Sequence, residues 1–468
     1  MTAIVQRAKT AAKSVLGLLI RHGPVTMTAA MLSRALRDMR PDGSTIPARP
    51  AMGRDERPLT ILALSPENFR GDLEALAASP GVRVIVIPEV WLYRLLMSFY
   101  PSGDGTPRYI SVFNPPPDDP ARPAKQRYRS FLRRALPKLY RRFGIDCVIG
   151  YHLHHVPDGD WGAVSQDLGF PYVIFQRECL FASEHVSRYT IERMSRLGRF
   201  EGAHVAVHNE VSVRTFEASG FIERERMSIL GAIRMDDYTR RIDSGGDLAQ
   251  KRPLATLFAF AVSSVYSEEM QDFFADVHLS FVQLAKEHPE IDFVIKYKNN
   301  VGPLWRQDFA AACDRSGLDP TSLPNLTITG TAEPQDLILR SAVVAGFNST
   351  TLLAAGIAGK QVIVPRFGLM AQPDMRVYLY FPDDWYAFSV SESLDAFRND
   401  VIDAIRNPQT VPEDVMSHRQ AMFEEYVSSL DGNATRKHLL LLRDLVSADR
   451  AAQPAGWVRP VDYARERP

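Results

Sequence analysis

The amino-acid sequence predicts an α/β protein: two Rossmann-like, doubly wound domains in tandem, preceded by a helical extension. Three observations carry that prediction. Short, continuously apolar runs recur along the chain, each separated from the next by a helical or turn segment, the pattern of parallel strands buried on both faces. The series occurs twice, on either side of a Gly- and Pro-marked segment, "SGGDLAQKRP" (244–253). The 468 residues, 45% hydrophobic and 24% charged, suffice for two large cores and argue against wholesale disorder.

Residues 1–58 read as an N-terminal helical extension and linker. Within them "AAKSVLGLLIRHG" (11–23) is too short and too charged to cross a bilayer. Its apolar stripe, flanked by Arg7, Lys9, Lys13 and Arg21, suits a helix docked on its own protein or resting on an anionic membrane surface. "RPDGSTIPARPAMGRDERP" (40–58) has no periodicity and reads as linker.

The first Rossmann-like domain is expected over 59–245. It opens with strand "LTILALSP" (59–66), a helix around 70–79 and strand "VRVIVIP" (82–88). The Pro-rich "NPPPDDPARPAK" (114–125) predicts a loop. A helix follows over 128–143, with apolar residues at 128, 131, 132, 135, 136, 139 and 143 and a kink expected at Pro137. "DCVIGYH" (146–152), "PYVIFQRE" (171–178) and "AHVAVHN" (203–209) are the remaining strands.

The second domain is expected over 246–446, with a loosely ordered tail at 447–468. Strand "LATLFAFAV" (254–262) leads to a helix over 268–287 that carries Met270, Phe273, Phe274, Val277, Phe281 and Leu284 on one face. Strand "DFVIKYK" (292–298), helix 304–315, strand "NLTITG" (325–330) and helix 334–341 continue the series. "VVAGFNSTTLLAAGIAGKQVIVP" (343–365) is then a strand, a small polar elbow, a helix of small residues and another strand. Three helical segments, 391–405, 412–428 and 434–446, close the domain.

Composition excludes several classes of function. Lys plus Arg equals Asp plus Glu at 55 each, so no global field captures nucleic acid. Three scattered cysteines, Cys147, Cys179 and Cys313, provide neither a disulfide framework nor a zinc ribbon and suit a reduced, cytoplasmic setting.

The elbow at 346–350 is the most informative stretch. Gly346 permits close backbone approach, and Asn348 or Ser349 can cap the following helix. The start of a helix has about four unpaired N–H groups and a partial positive charge, both favourable to phosphate. An ordinary N-cap with no ligand uses the same residues, and spacing alone does not separate the two readings.

The stretch resembles the donor-site segment of GT-B glycosyltransferase-like proteins that build bacterial surface polysaccharides. That group takes in capsule and Kdo-transferring enzymes, CDP-glycerol glycerophosphotransferases and nonhydrolysing UDP-GlcNAc 2-epimerases. "LGAIRMDDY" (230–238) is similar to the Gly-x-x-Arg-x-Asp signature such proteins carry where the first domain hands over to the second. "FVIKYKNN" (293–300) occupies the place of their Lys-x-His-Pro-like turn but lacks the His-Pro. The resemblance implies a GT-B fold, two Rossmann-like domains facing across a cleft, with a nucleotide-sugar donor held by the second domain. It implies that Gly346, Asn348, Ser349 and Thr350 bind donor phosphate, that Arg234 and Lys296 add charge-assisted bonds, and that Arg177, Lys298 and Asp236 line the cleft.

Glycosyl transfer without a metal also needs a base for the acceptor hydroxyl. "QRECLFASEH" (176–185) and "GYHLHHVPDGDW" (150–161) leave strands at the carboxyl edge of the first sheet. Glu178 directly follows an apolar strand, where partial burial would raise its carboxyl toward a useful range. His155 and His152 are the alternatives, as neutral imidazoles. No Asp-x-Asp cluster stands at a strand end, and His152, His154 and His155 lack a recognisable further ligand, so neither a metal nor a cofactor is inferred. Eight cations between Lys125 and Arg142 suit a solvated face, a lipid headgroup or an anionic acceptor.

The expectation is a metal-independent glycosyltransferase of bacterial surface polysaccharide assembly, acting on a glycan or lipid-linked acceptor in the cytoplasm, with peripheral contact with an anionic membrane left open. A CDP-polyol phosphotransferase, a nucleotide-sugar 2-epimerase and a noncatalytic nucleotide-sugar-binding scaffold are the alternatives on the same fold.

Overall fold

The structure is a computed structural model that describes residues 25–39, 58–69, 71–100, 112–244, 252–260, 268–299 and 302–451. The amphipathic stretch at 11–23, the linker at 40–57 and the tail beyond 451 lie outside the described residues.

In chain order the first unit contains α1 (Val25–Ala35), β1 (Arg37–Asp38), β2 (Leu59–Leu64), α2 (Asp72–Ala77), β3 (Val82–Ile87), α3 (Glu89–Phe99) and α4 (Ala121–Phe143). It continues through β4 (Cys147–Gly150), α5 (Val156–Asp167), β5 (Tyr172–Phe175), the part of α6 (Glu184–Met194) from Thr190 onward, β6 (His204–Val207), α7 (Glu210–Ala218) and β7 (Met227–Ile229). The sheet order is β1-β3-β2-β4-β5-β6-β7. Every pair is parallel except β1 with β3, so the N-terminal extension contributes an antiparallel edge strand as well as a helix. β4 and β5 are buried at every residue, as strands covered on both faces must be.

The second unit follows with α8 (Met235–Asp243), β8 (Leu254–Phe258), α9 (Glu268–Glu287), β9 (Asp292–Lys296), α10 (Gly302–Ser316), β10 (Leu326–Thr329) and α11 (Pro334–Arg340). β11 (Val343–Gly346), α12 (Thr350–Ile357), β12 (Gln361–Pro365), β13 (Ser389–Ser391), α13 (Leu394–Arg406) and α14 (Glu413–Tyr426) complete it, before α15 (Ala434–Ala451). Its sheet is wholly parallel, in the order β10-β9-β8-β11-β12-β13. Each unit is a doubly wound, Rossmann-like α/β structure in which the strand order reverses once: between β2 and β4 in the first, and between β8 and β11 in the second.

Two features differ from the sequence expectation. The helix of the basic stretch begins at Ala121 and runs unbroken through Pro137. Its face of Ala124, Tyr128, Phe131, Leu132, Ala135, Leu136 and Leu139 is buried from the first turns, so packing outweighs the local cost of the prolines. The division of the chain also changes: the first unit takes residues up to Cys179, Thr190–Asp236 and everything from Asn433 onward, and the second takes Leu180–Tyr189 and Asp237–Gly432. The handover therefore falls at Asp236 rather than 245, and α15 belongs to the first unit. Ala434, Leu439, Leu442 and Val446 enter the core formed by Ile61, Leu73, Ile149, Val173 and Phe175.

Asp236 fixes that return of the chain. Its carboxylate accepts from Ala434 N at 2.9 Å, Thr435 N at 2.7 Å and Thr435 Oγ1 at 2.7 Å, at the start of α15. Asp236→Ala should destabilise the protein by about 1–2 kcal/mol, the scale of a lost helix cap, with faster amide exchange in α15; unchanged exchange there would show that the cap is dispensable. No helix among the described residues is long and apolar enough to cross a membrane.

Candidate functional site

Chemistry-bearing residues collect at the carboxyl ends of the parallel strands, most densely where each strand order reverses. In the first unit Ser65 follows β2, Glu89 follows β3, and Tyr151–His155 follow β4. Ser65 is a fully buried non-glycine residue in the left-handed region (φ 52°). That conformation is uncommon for serine and aims its hydroxyl at Asp158 Oδ1, which accepts at 2.7 Å. His155 stands at the N-cap of α5 and reaches two carboxylates at once. Nε2 donates to Glu89 Oε1 at 2.9 Å, and Nδ1 lies 3.1 Å from Asp158 Oδ2 as a close ion pair. Burial opposes its charge, but Asp158 and Glu89 outweigh burial and raise its pKa to about 9. Glu89 is half-buried, and the hydrogen bond from His155 holds its carboxyl below the usual range.

These facts correct the expected roles in the histidine loop. His155 keeps both ring protons near pH 7 and is not a free base there. His152 is held down to about 3 and His154 to about 2, in both cases chiefly by burial, so these imidazoles are neutral and weakly basic. Glu178 is exposed rather than partly buried. Among the described residues no group of three or more His, Cys, Asp or Glu could hold a metal ion. Ser65, Glu89 and Asp72 were not singled out from sequence. The signal available for Ser65 and Glu89 was their place directly after, or one proline beyond, apolar strands.

In the second unit the elbow leaves β11 at the reversal of strand order. A Cβ on Gly346 would meet Leu352 Cδ2 at 3.2 Å and the Phe258 carbonyl at 3.4 Å, so close packing favours glycine. Phe347 is buried against Phe260 and Phe273, which fixes the turn from below. Asn348 adopts φ 47°, a conformation Asn tolerates better than most residues. Its side-chain amide is fully engaged within the protein: Nδ2 donates to Tyr378 O at 2.9 Å and Oδ1 accepts from Tyr380 N at 2.9 Å. Ser349 is the N-cap of α12, its Oγ accepting from Thr351 N at 3.3 Å and lying 2.8 Å from Thr351 Oγ1. The main-chain N–H groups of Asn348, Ser349 and Thr350 make no hydrogen bond among the described residues. The side chains of Asn348 and Ser349 thus shape the elbow, and the main chain is what it offers to a ligand.

Lys296 is buried, and its Nζ donates to Tyr297 O at 2.7 Å and Gly330 O at 3.0 Å, which ties the end of β9 to the next loop instead of presenting an ammonium to phosphate. Lys298 is exposed just beyond β9. Arg234 and Arg177 belong to the first unit, beside Asp72, and Asp236 caps α15. In the basic helix α4, Lys125 and Arg129 share Asp160 at 2.8 and 2.7 Å, Arg129 also pairs with Glu201, and Arg133 pairs with Asp167. Much of that positive charge is neutralised by the protein itself.

No protein-family model matches the sequence, and no curated protein matches it. Solved structures similar to the chain include UDP-GlcNAc 2-epimerase from Neisseria meningitidis bound to UDP-GlcNAc, at 13% identity and TM-score 0.45, covering 82% of this chain and 100% of that one. The wall teichoic acid polymerase TagF is similar at 12% identity and TM-score 0.42, over 67% of this chain and 76% of that one. An α,α-trehalose-phosphate synthase (UDP-forming) from Burkholderia vietnamiensis is similar at 11% identity and TM-score 0.44, over 85% of this chain and 99% of that one.

Proposed function

We propose that the chain is a glycosyltransferase of bacterial surface polysaccharide assembly, moving a sugar from a nucleotide-sugar donor to a glycan or lipid-linked acceptor without a bound metal. One observation carries this reading: three consecutive main-chain N–H groups, Asn348 to Thr350, have no hydrogen bond among the described residues and stand at the start of a helix where the second sheet reverses its strand order. Fixed donors of this kind favour a phosphate oxygen, and they favour it most when a nucleoside diphosphate departs and its charge grows.

The first unit supplies the proton acceptor. Glu89 is ionised at neutral pH, partly accessible, and oriented by His155, which is itself anchored on Asp158. As the acceptor oxygen forms its bond to the anomeric carbon, its proton passes to a carboxylate base, the role we assign to Glu89, and the bond from that carbon to the leaving phosphate breaks with its electrons on the phosphate oxygen. His155 positions the carboxylate and stays protonated throughout.

The test is a thermal-shift screen of the full chain with UDP-, GDP-, CMP-, CDP- and dTDP-linked sugars, followed by donor consumption in the presence of acceptor extract. A donor that binds only the native state must raise the Tm. If no donor raises it, the reading fails; binding without consumption makes the protein a nucleotide-sugar-binding scaffold. Glu89→Gln should lower kcat by about 10²–10⁴-fold with donor affinity unchanged. A normal rate in that variant, with loss in Glu178→Gln, would move the base to Glu178.

A further inference from the structure

Beyond the strand ends that hold His155, the first unit gathers two guanidinium groups around one carboxylate. Asp72, in the first turn of α2, is buried, and Arg177 Nη1 lies 3.4 Å from its Oδ2 while donating to the Asn68 carbonyl at 3.0 Å. Burial pushes the Asp72 carboxyl above its ordinary range, and the charges of Arg177 and Arg234, with the main-chain N–H of Arg234, act against that shift. His208 is neutral, held well below its usual range by burial and then by Arg234, His438 and Arg177. Glu74 and Glu178 are exposed, where water screens them. Arg177 and Arg234 thus bring two positive charges to bear on one buried carboxyl group.

The cluster is also incompletely bonded. Arg234 Nη1 is buried and makes no hydrogen bond among the described residues, and the same is true of Asp72 Oδ1. A cluster with a purely structural role is expected to satisfy such groups, because a buried, charged donor left unpaired is costly. Arg177 follows β5, and Arg234 lies beyond β7 on the same carboxyl edge, which is where ligands of doubly wound sheets collect.

We propose that Arg177 and Arg234 seat an anionic oxygen group carried by the acceptor, a phosphate or a carboxylate, with Arg234 Nη1 as the donor that completes the bond. The site deepens the transferase reading, on which the word acceptor rests: it selects acidic glycans or phosphate-bearing carriers over neutral ones. Asp72 is the internal carboxyl group that holds Arg177 in place until the ligand arrives.

The experiment uses full-length protein carrying Thr350→Pro, in which a donor of the elbow is removed, and titrates inorganic phosphate and glucuronate separately at fixed low ionic strength. At least one of the two should raise the Tm. Adding Arg234→Gln should weaken that binding at least tenfold, and Arg234→Lys should weaken it less. Asp72→Asn should tighten it at least threefold, because a competing carboxylate is gone; a structural ion pair predicts no such gain. A response to phosphate alone supports a phosphorylated acceptor or carrier, and a response to glucuronate alone supports an acidic sugar. No response to either anion, an unchanged affinity in Arg234→Gln, or weaker binding in Asp72→Asn would overturn the proposal. Should Arg234→Gln not fold, Arg234→Lys and Asp72→Asn decide. An anion response in a protein whose wild type binds no nucleotide sugar would sink the transferase reading and leave this site standing.

Discussion

Thr350→Pro is expected to weaken nucleotide binding by about 10- to 100-fold, the loss of one hydrogen bond to a charged oxygen worth about 1.5–3 kcal/mol, while leaving the fold intact. Thr350 is the first residue of α12, where proline is favoured because its missing N–H has no partner within the helix. The residue before a proline must be extended, and Ser349 already is, with φ −141° and ψ 143°. The substitution therefore removes a donor from the elbow with almost no conformational cost, and stability should stay within about 1 kcal/mol. Thr350→Val keeps the main-chain N–H and should lose much less affinity. Calorimetry with the nucleotide identified by the screen separates the two. An unchanged Kd in the proline variant would remove the elbow from the binding site.

The second large effect is a pH dependence of stability centred on His155. Its folded pKa, about 9, lies above the ordinary value of 6.5, so its contribution to stability is complete below about pH 6.5 and is lost as pH rises through about 9. At roughly 1.4 kcal/mol per pH unit of difference, that contribution is on the order of 3 kcal/mol. His155→Gln should abolish this alkaline loss and should also destabilise the protein at pH 6 by about 3–5 kcal/mol, because Asp158 is fully buried and loses its cation. Denaturant unfolding at pH 6 and pH 9.5 reads both. A wild-type profile as flat as that of the variant would mean that the imidazole carries no charge in the folded state.

Much of the fold was legible because buried parallel strands impose their own composition. Runs such as "CVIG", "YVIF" and "LATLF" are buried along their whole length, so no alternation is possible, and the helices between them announce the crossovers. The elbow was legible for a related reason: a strand that ends on glycine and is followed at once by cap residues must leave N–H groups unpaired, whatever surrounds it. The basic stretch was legible as a helix, whereas the partners of its cations, Asp160, Glu201 and Asp167, lie on other elements and only the fold brings them near.

The residue roles followed distance, which sequence does not carry. Lys296 stands at a strand end as expected, yet two nearby carbonyls capture its ammonium. Asp236 carries the charge expected in a cleft, yet α15 brings two N–H groups and a hydroxyl to it. His155 reads from sequence as a neutral alternative to Glu178, and two carboxylates, one of them 66 residues away in the chain, keep it protonated. Periodicity and glycine placement are local properties, so the sequence alone determined the two doubly wound sheets and the strand–elbow–helix turn at 346–350. Which charges meet is decided by chain segments far apart in order and close in space, and Coulomb energies depend on that separation. The pairing of Glu89 with His155, the gathering of Arg177 and Arg234 around Asp72, and the return of the last helix to the first sheet were therefore decided by the tertiary structure alone.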